Sequence, residues 1–334
     1  MTHNVLVIVQ CSDGIRGIGE ASSSLAMPEA TPESMSETLR TLSGMVLGKP
    51  VSEWDEISHR FTKKFRSHPT ALSSIECALL DAHCQSNQMS LANFFGGHHQ
   101  TLETHFTIPA LPAETCSKIA KRMIRRGFKK FKVKVTGAQA SEDRKRIQRV
   151  SQIADGRPVL IDANQGWTPQ SSLRHIEWLL KKKIPIELLE QPVRQEDLKG
   201  LKWLKKRSPV PIAVDESVKT LSDARKIVEE EAADIFNIKL AKMGLGESLR
   251  TARYLKKAGK KLMIGCMMES KIGLSMSVHW AVGSGDFDFI DLDSFLLLKE
   301  LPIQGGFNHQ GPFLSVDSDV LGLGITIRSK GMKP

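Results

Sequence analysis

No apolar run in this sequence approaches the roughly 20 residues that a membrane-crossing helix needs. Its start, MTHNVLVIVQCSDG, also lacks a basic segment followed by a cleavable apolar stretch. A cytoplasmic chain with no membrane partner is expected. Cysteine is sparse: Cys11, Cys77, Cys84, Cys116 and Cys266 are odd in number, scattered, and make no CxxC pair, which argues against a disulfide framework and against a structural zinc site. Gly14, Gly17 and Gly19 do not open a helix after a strand, so the dinucleotide-binding fingerprint is not met.

What is present is ample core material: 334 residues, 40% of them apolar, enough for one large α/β domain and a smaller one. The net charge of +10 raises a nucleic-acid partner. The basic clusters argue against it, because KRMIRRGFKKFK, KKKIPIE, KKRSPVPI and LKKAGKKLMI each close a helical pattern just before an apolar run, where cations complement the helix dipole. No nucleic-acid partner is expected, although a positive field favours an anionic substrate.

Residues 4–22 read as a hairpin around an SDG turn, and residues 32–96 turn helical, with Thr-Pro start signals and apolar residues at three and four spacing. From about residue 103 short apolar runs alternate with amphipathic stretches: ETHFTIPA, FKKFKVKV, PVLIDANQG, IELLEQP, PIAVDES, IFNIKLAK, LMIGCMMES and FDFIDLDSF. Eight such βα units imply parallel strands closing into a barrel. The expected fold is an α/β, (β/α)8-type barrel (103–300) with an N-terminal α+β capping domain (1–102) completed by the C-terminal tail (301–334).

Barrel strands should be nearly all apolar, yet these carry Lys132 and Lys134 on the second, Asp162 on the third, Glu190 on the fourth, Asp215 on the fifth, Lys239 on the sixth, and Asp291 with Asp293 on the eighth. A lone carboxylate at a strand end ordinarily caps a helix or faces solvent, and alternating lysines ordinarily mark an exposed face. Helices cover the outer side of this strand, so period two points both lysines inward. All these residues fall toward the C-terminal ends of their strands, where barrel enzymes place their chemistry.

In a ring of eight, strands 2 and 6 oppose each other, as do strands 4 and 8. Lys134 and Lys239 should therefore face one another across the mouth. Asp162, Glu190 and Asp215, on successive strands, can converge on one hard cation, which suits Mg²⁺. Asp291 and Asp293 look back from the far side, so a molecule lying between would offer an anion to the metal and a cation to the aspartates. A divalent ion can stabilise a developing enediolate, while two lysines on opposite faces of the carbon remove a proton from one side and return it from the other. Their pKa values should then fall from about 10.4 toward about 7 or 8. Lys132 would help by like-charge repulsion and would also contact the substrate carboxylate.

These residues resemble the muconate-lactonizing subgroup of the enolase superfamily: the Lys-x-Lys of Lys132 and Lys134, DANQGW with Asp162, LLEQP with Glu190, AVDES with Asp215 and NIKLAK with Lys239 agree with it in order and spacing over nearly the whole chain. Within it, GCMMESKIG and the Asp-x-Asp of DLDSF resemble the dipeptide epimerases, especially the L-Ala-D/L-Glu type. The resemblance implies that Asp291 and Asp293 bind the α-ammonium of a dipeptide, that its C-terminal carboxylate binds Mg²⁺, that Thr107 contacts the substrate, and that the chain is a cytoplasmic homo-oligomer serving peptidoglycan peptide recycling. Members of that family begin with a further strand and a mobile loop that reads the substrate side chain. This sequence begins at what resembles their second strand, so that loop is expected to be absent or to lie upstream of an incorrectly chosen start; the stretch GEASSSLAMPEATPE is left to cover part of the mouth.

Three other readings are open. Cycloisomerases and o-succinylbenzoate synthases share the lysines and carboxylates but take substrates without an ammonium, leaving the aspartate pair beside an anion. A Schiff-base aldolase would use Lys239 as nucleophile. A basic binding protein would keep the barrel without chemistry. His98 and His99 in GGHHQ lack a carboxylate partner in sequence and are expected to face solvent.

Overall fold

The first apolar run pairs with its neighbour as β1 (Val5–Gln10) and β2 (Arg16–Ala21), antiparallel from Val5 opposite Ala21 to Gln10 opposite Arg16. The computed structural model describes residues 3–24, 27–299 and 301–327. Helices α1 (Pro32–Val46), α2 (Trp54–Lys64), α3 (Pro69–Ser86) and α4 (Leu91–Phe94) follow, α1 capped by Thr31 with Pro32 in its first turn. The glycines of RGIGEA are explained by packing: a Cβ at Gly17 would stand 1.8 Å from the Ala78 carbonyl oxygen, and one at Gly19 1.9 Å from that of Ser74. Only glycine lets β2 lie this close to the backbone of α3.

After β3 (Leu102–Glu103) the chain winds the barrel: β4 (Phe106–Ile108), α5 (Ala113–Arg125), β5 (Phe131–Lys134), α6 (Ala140–Ile153), β6 (Val159–Asp162), α7 (Pro169–Lys181), β7 (Ile186–Glu190), α8 (Leu198–Lys205), β8 (Ile212–Val214), α9 (Leu221–Glu229), β9 (Ile235–Ile238), α10 (Leu240–Met243), α11 (Leu245–Lys257), β10 (Lys261–Gly265), α12 (Lys271–Ser284) and β11 (Phe289–Asp291). The order in the sheet is sequential and its pairs are parallel. All eight expected apolar runs form its strands. Leu160, Leu188, Ala213, Ile235 and Met263 fill the interior, while a second, larger core lies under the helices.

Two features depart from an ideal barrel. The last strand leads into a 3-10 turn, Ser294–Leu297, where an eighth helix would stand. The first and last strands share no ladder among the described residues; single bonds close the seam, from His105 N to Ile290 O (2.9 Å) and from Leu292 N to Thr104 Oγ1 (2.8 Å). The tail forms β12 (Ile303–Gln304), β13 (Asn308–Gln310), β14 (Phe313–Ser315) and β15 (Thr326–Ile327); β14 pairs with β3, and Gly322 exchanges backbone bonds with Met89 and Leu91. No helix among the described residues is long and apolar enough to cross a membrane.

Buried carboxylates join the N-terminal unit to the barrel. Glu20 on β2 accepts from Ser270 N (2.8 Å), Gly273 N (3.2 Å) and the Ser270 hydroxyl, at the start of α12. Glu76 on α3 accepts from Leu245 N (2.6 Å), at the start of α11, and from Ser58 Oγ (2.5 Å). Both sit where a helix presents free N–H groups and a positive dipole end.

Burial pushes Glu76 up to about 7, against an ordinary value of 4.5. Between those values the unfolded chain binds fewer protons than the folded one, so this residue's contribution to stability falls as pH rises through that window, by about 3 kcal/mol. Urea unfolding at about pH 5 and about pH 8 should show Glu76→Gln losing most of that pH dependence. An unchanged slope would mean that Glu76 is not the group being titrated.

Candidate active site

The alternation of β5 sends Lys132 and Lys134 to the barrel interior, and the register does the rest: Lys134 lies opposite Asp162, and Asp162 opposite Glu190. Three successive strand ends thus place a lysine and two carboxylates side by side. Asp215 and Lys239 directly follow β8 and β9, Asp291 ends β11, and Asp293 lies two residues on. All of the sequence-predicted site residues therefore gather at the C-terminal mouth.

Lys132 is the hub. Its ammonium stands 2.8 Å from Glu190, 2.8 Å from Asp291 and 3.3 Å from Asp162, with its side chain 3% exposed. Burial disfavours its charge, but the three carboxylates win and hold it well above the ordinary lysine value. Lys134 is more open, 40% exposed, with one 3.9 Å pair to Asp162. Thr107 on β4 donates its N–H to Asp293 (2.6 Å), and its hydroxyl lies 3.3 Å from both Asp291 and Asp293. The two aspartates differ: burial acts on both, yet Lys132 pulls Asp291 below the usual range, whereas burial and the Asp291 charge push Asp293 up to about 6.

Lys239 donates to Asp215 at 2.5 Å, and Lys242 to the other oxygen of the same carboxylate at 2.7 Å. Against burial, the two ammoniums hold Asp215 far below the carboxylate range, and Asp215 in turn raises Lys239. This corrects one expectation: Lys239 is shifted upward, not down toward neutrality, because its nearest neighbour is a carboxylate rather than a like charge. Lys242, sharing that carboxylate with Lys239, is lowered by burial.

The carboxylates expected to ligate Mg²⁺ each face a lysine, and among the described residues no three acidic, histidine or cysteine side chains converge on one point. The donor set nonetheless fits a hard cation. Glu216 Oε2 is buried and accepts no hydrogen bond, and the buried Asp162 Oδ2 and Glu190 Oε2 are met only by the Lys132 ammonium and, for Asp162, Lys134 at 3.9 Å, without hydrogen-bond geometry. Burial, with Asp162 and Asp215 adding to it, pushes Glu190 up to about 7 despite Lys132. Asp162, Glu190 and Asp215 offer oxygen ligands from adjacent strands, the chemistry Mg²⁺ takes.

Sequence reasoning missed several supporting residues. Asn237, which donates to Glu190 (2.7 Å), lies two positions before Lys239 and was reachable by period two. Gln191 accepts from Asp215 N (2.9 Å) and Ser217 N (3.1 Å), locking the ends of β7 and β8; nothing in its spacing marked it. Lys242 stood unread inside NIKLAK. His98 and His99 are exposed on their loop, as expected. From the N-terminal stretch, Met27 and Glu29 reach a cavity of about 390 Å³ that Lys242 and Met267 line from the barrel side.

The whole architecture has relatives. Residues 115–331 match the enolase C-terminal domain-like family, and residues 1–96 match the mandelate racemase / muconate lactonizing enzyme N-terminal domain. The chain belongs to the mandelate racemase / muconate lactonizing enzyme family of the enolase superfamily. It is 35% identical over 315 residues to an L-Ala-D/L-Glu epimerase of Thermotoga maritima, covering 94% of this chain and 91% of that one. It is 36% identical over 324 residues to an aromatic dipeptide epimerase of Herpetosiphon aurantiacus, covering 97% and 91%. Among solved structures, a dipeptide epimerase of Enterococcus faecalis complexed with Mg and L-Leu-L-Tyr superposes with a TM-score of 0.91 at 29% identity, over 97% of this chain and 91% of that one.

The hub has a stability consequence. Lys132→Met strands three buried carboxylates, which should cost about 3–5 kcal/mol, whereas Lys134→Met, at a half-open position, should cost under about 1 kcal/mol. Urea unfolding of both variants compares them directly, and equal losses would contradict the assignment of Lys132 as the organising charge.

Proposed function

We propose that this chain is a dipeptide epimerase, inverting the α-carbon of the C-terminal residue by moving a proton between Lys134 and Lys239. The observation that carries the reading is the layout of charge around the mouth. Asp162, Glu190 and Asp215 end three adjacent strands, and Asp291 and Asp293, joined by Thr107, lie on the far side. A zwitterion held between them meets an anion-binding end and a cation-binding end.

In this reading Asp162, Glu190 and Asp215 hold Mg²⁺. The ion, when bound, supplies a counter-charge for the substrate carboxylate as negative charge builds on its oxygens. Asp291 and Asp293 take the α-ammonium, with Thr107 fixing their oxygens. Lys134 and Lys239 sit at the ends of strands four places apart in the ring and approach the α-carbon from opposite faces, one taking the proton while the other gives one. Lys132 stays charged and holds the carboxylates of strands three, four and eight in place. Glutamate-bearing and hydrophobic dipeptides both fit this scheme, since the names of the relatives include both kinds; a glutamate-bearing dipeptide would place the enzyme in peptidoglycan peptide recycling.

The alternatives fare worse on specific contacts. A cycloisomerase or o-succinylbenzoate synthase would set an anionic substrate beside the buried Asp291 and Asp293. A Schiff-base aldolase would use Lys239 as its nucleophile but gives Asp291, Asp293 and Thr107 no part.

A dipeptide library incubated with enzyme and Mg²⁺ in D₂O should take up a single deuteron at the α-carbon of the C-terminal residue, read by mass spectrometry. Lys134→Ala and Lys239→Ala should each block exchange from one stereoisomer more than from the other; equal loss from both would count against the two-base assignment. Chelation by EDTA should abolish turnover and added Mg²⁺ should restore it. Calorimetric titration of Mg²⁺ should give at least tenfold weaker binding to Asp215→Asn, about 1.4 kcal/mol, and unchanged binding would remove Asp215 from the ligand set.

A further inference from the structure

The seam between the first and last barrel strands is held from inside by a pair to which the scheme above gives no part. His105, one residue before β4, donates its backbone N–H to Ile290 O at 2.9 Å; its ring Nδ1 lies 2.9 Å from that same carbonyl, and its Nε2 lies 2.7 Å from Glu187 Oε2. The ring is 1% exposed. A carbonyl on one nitrogen and a carboxylate on the other hold the ring between β11 and β7. Glu187 reaches the interior through an irregularity in the ladder: Val159 pairs with Ile186 and Leu160 with Leu188, so Glu187 has no partner on β6. A bulge of this kind re-aims a side chain. The other charged groups acting on the pair are Lys130, itself 3.3 Å from Glu103, and Asp291.

The pair lies below the mouth, on the strands that lead to its two ends. Ile290 immediately precedes Asp291, and Thr107, two residues after His105, gives its N–H to Asp293. Glu187 lies three residues before Glu190, on the strand four places from β11 in the ring. We propose that His105 and Glu187 form a positioning strut across the barrel interior, which works with the Lys132 ion pairs to set the separation between the aspartate pair and the Glu190 end of the site and thereby the length of zwitterion the site accepts. The strut touches no reacting atom; it acts through the Ile290 carbonyl and the bulged backbone of β7. The inference rests on the epimerase reading for what the two ends bind.

Losing the strut leaves both lysines in place but lets the aspartate pair drift. The α-ammonium contact is the same in ground and transition states, so its loss raises KM and spares kcat. The test is steady-state kinetics of wild type, His105→Gln, Glu187→Gln and the double variant on a free dipeptide and its N-acetyl counterpart, with thermal unfolding of each protein. Each single variant should raise KM for the free dipeptide about tenfold with kcat within about twofold. The double variant should be no worse than either single one, and the N-acetyl kinetics should not move. KM unchanged in a folded Glu187→Gln, kcat falling at constant KM, or two losses that simply add would each overturn the strut. Where His105→Gln does not fold, Glu187→Gln decides alone, since its side chain is 26% exposed and the change keeps its size. A wild-type enzyme that does not distinguish free from acetylated dipeptide overturns the ammonium assignment and the strut's role with it; discrimination present in wild type and unmoved in the variants overturns the strut alone.

Discussion

Lys132 stands within 3.3 Å of three carboxylates that come from three different strands, Asp162, Glu190 and Asp291. Charges withdrawn from water are tolerated only in such company, so the ends of β5, β6, β7 and β11 cannot be placed independently. The second cluster, Asp215 between Lys239 and Lys242, ties β8 to the turn after β9 in the same way. Asn237 links the two by its bond to Glu190. Reactive groups held like this pay no reorganisation cost when charge moves. The geometry of the mouth is thus a property of the ion-pair lattice as much as of the barrel.

The N-terminal unit is fixed over that mouth by the same chemistry at helix starts. Glu20 and Glu76 accept backbone N–H groups at the beginnings of α12 and α11, and Asp81 accepts from Ile18 N and Leu323 N, joining β2 to the tail. Each is a carboxylate inside an interface between units. Burial pushes Glu76 to about 7 and Asp81 to about 6. The cavity that Met27 and Glu29 share with Lys242 and Met267 is thus walled by residues of both units.

Much of this was legible in the sequence, for a physical reason. A parallel barrel strand is buried on both faces, so a polar residue at its end stands out against an apolar run, and counting strands around a ring then says which residues are neighbours. That logic found every barrel strand and gathered Lys132, Lys134, Asp162, Glu190, Asp215, Lys239, Asp291 and Asp293 at one end. It reached faces but not distances. Whether Lys239 meets a carboxylate or a like charge depends on a gap of a few ångströms between chain-distant groups, and the direction of its shift came out reversed. Glu187 escaped for another reason: strict alternation with Glu190 would point it outward, and only the irregular pairing at Val159 and Leu160 turns it in. The seam at His105 is closed by single bonds with no repeating pattern to betray them.

The charge inventory explains why such a lattice has a use beyond holding itself together. Four lysines, 132, 134, 239 and 242, are set among five carboxylates, 162, 190, 215, 291 and 293. Carboxylates outnumber lysines here, the more so with Glu216, its Oε2 buried, beside Asp162 and Asp215. Burial, with neighbouring carboxylates adding to it, pushes Glu190 up to about 7 and Asp293 up to about 6, while against burial Lys239 and Lys242 hold Asp215 low and Lys132 holds Asp291 low. Glu190 ends the fourth strand, and Asp293 lies just past the eighth. A positive group arriving at either relieves the repulsion there. Under the proposed function the metal takes the end where Asp162, Glu190 and Asp215 end adjacent strands, and the ammonium takes the end where Thr107 orients an aspartate pair. Under that same proposal, a molecule with one charge of each sign puts its middle between Lys134 and Lys239.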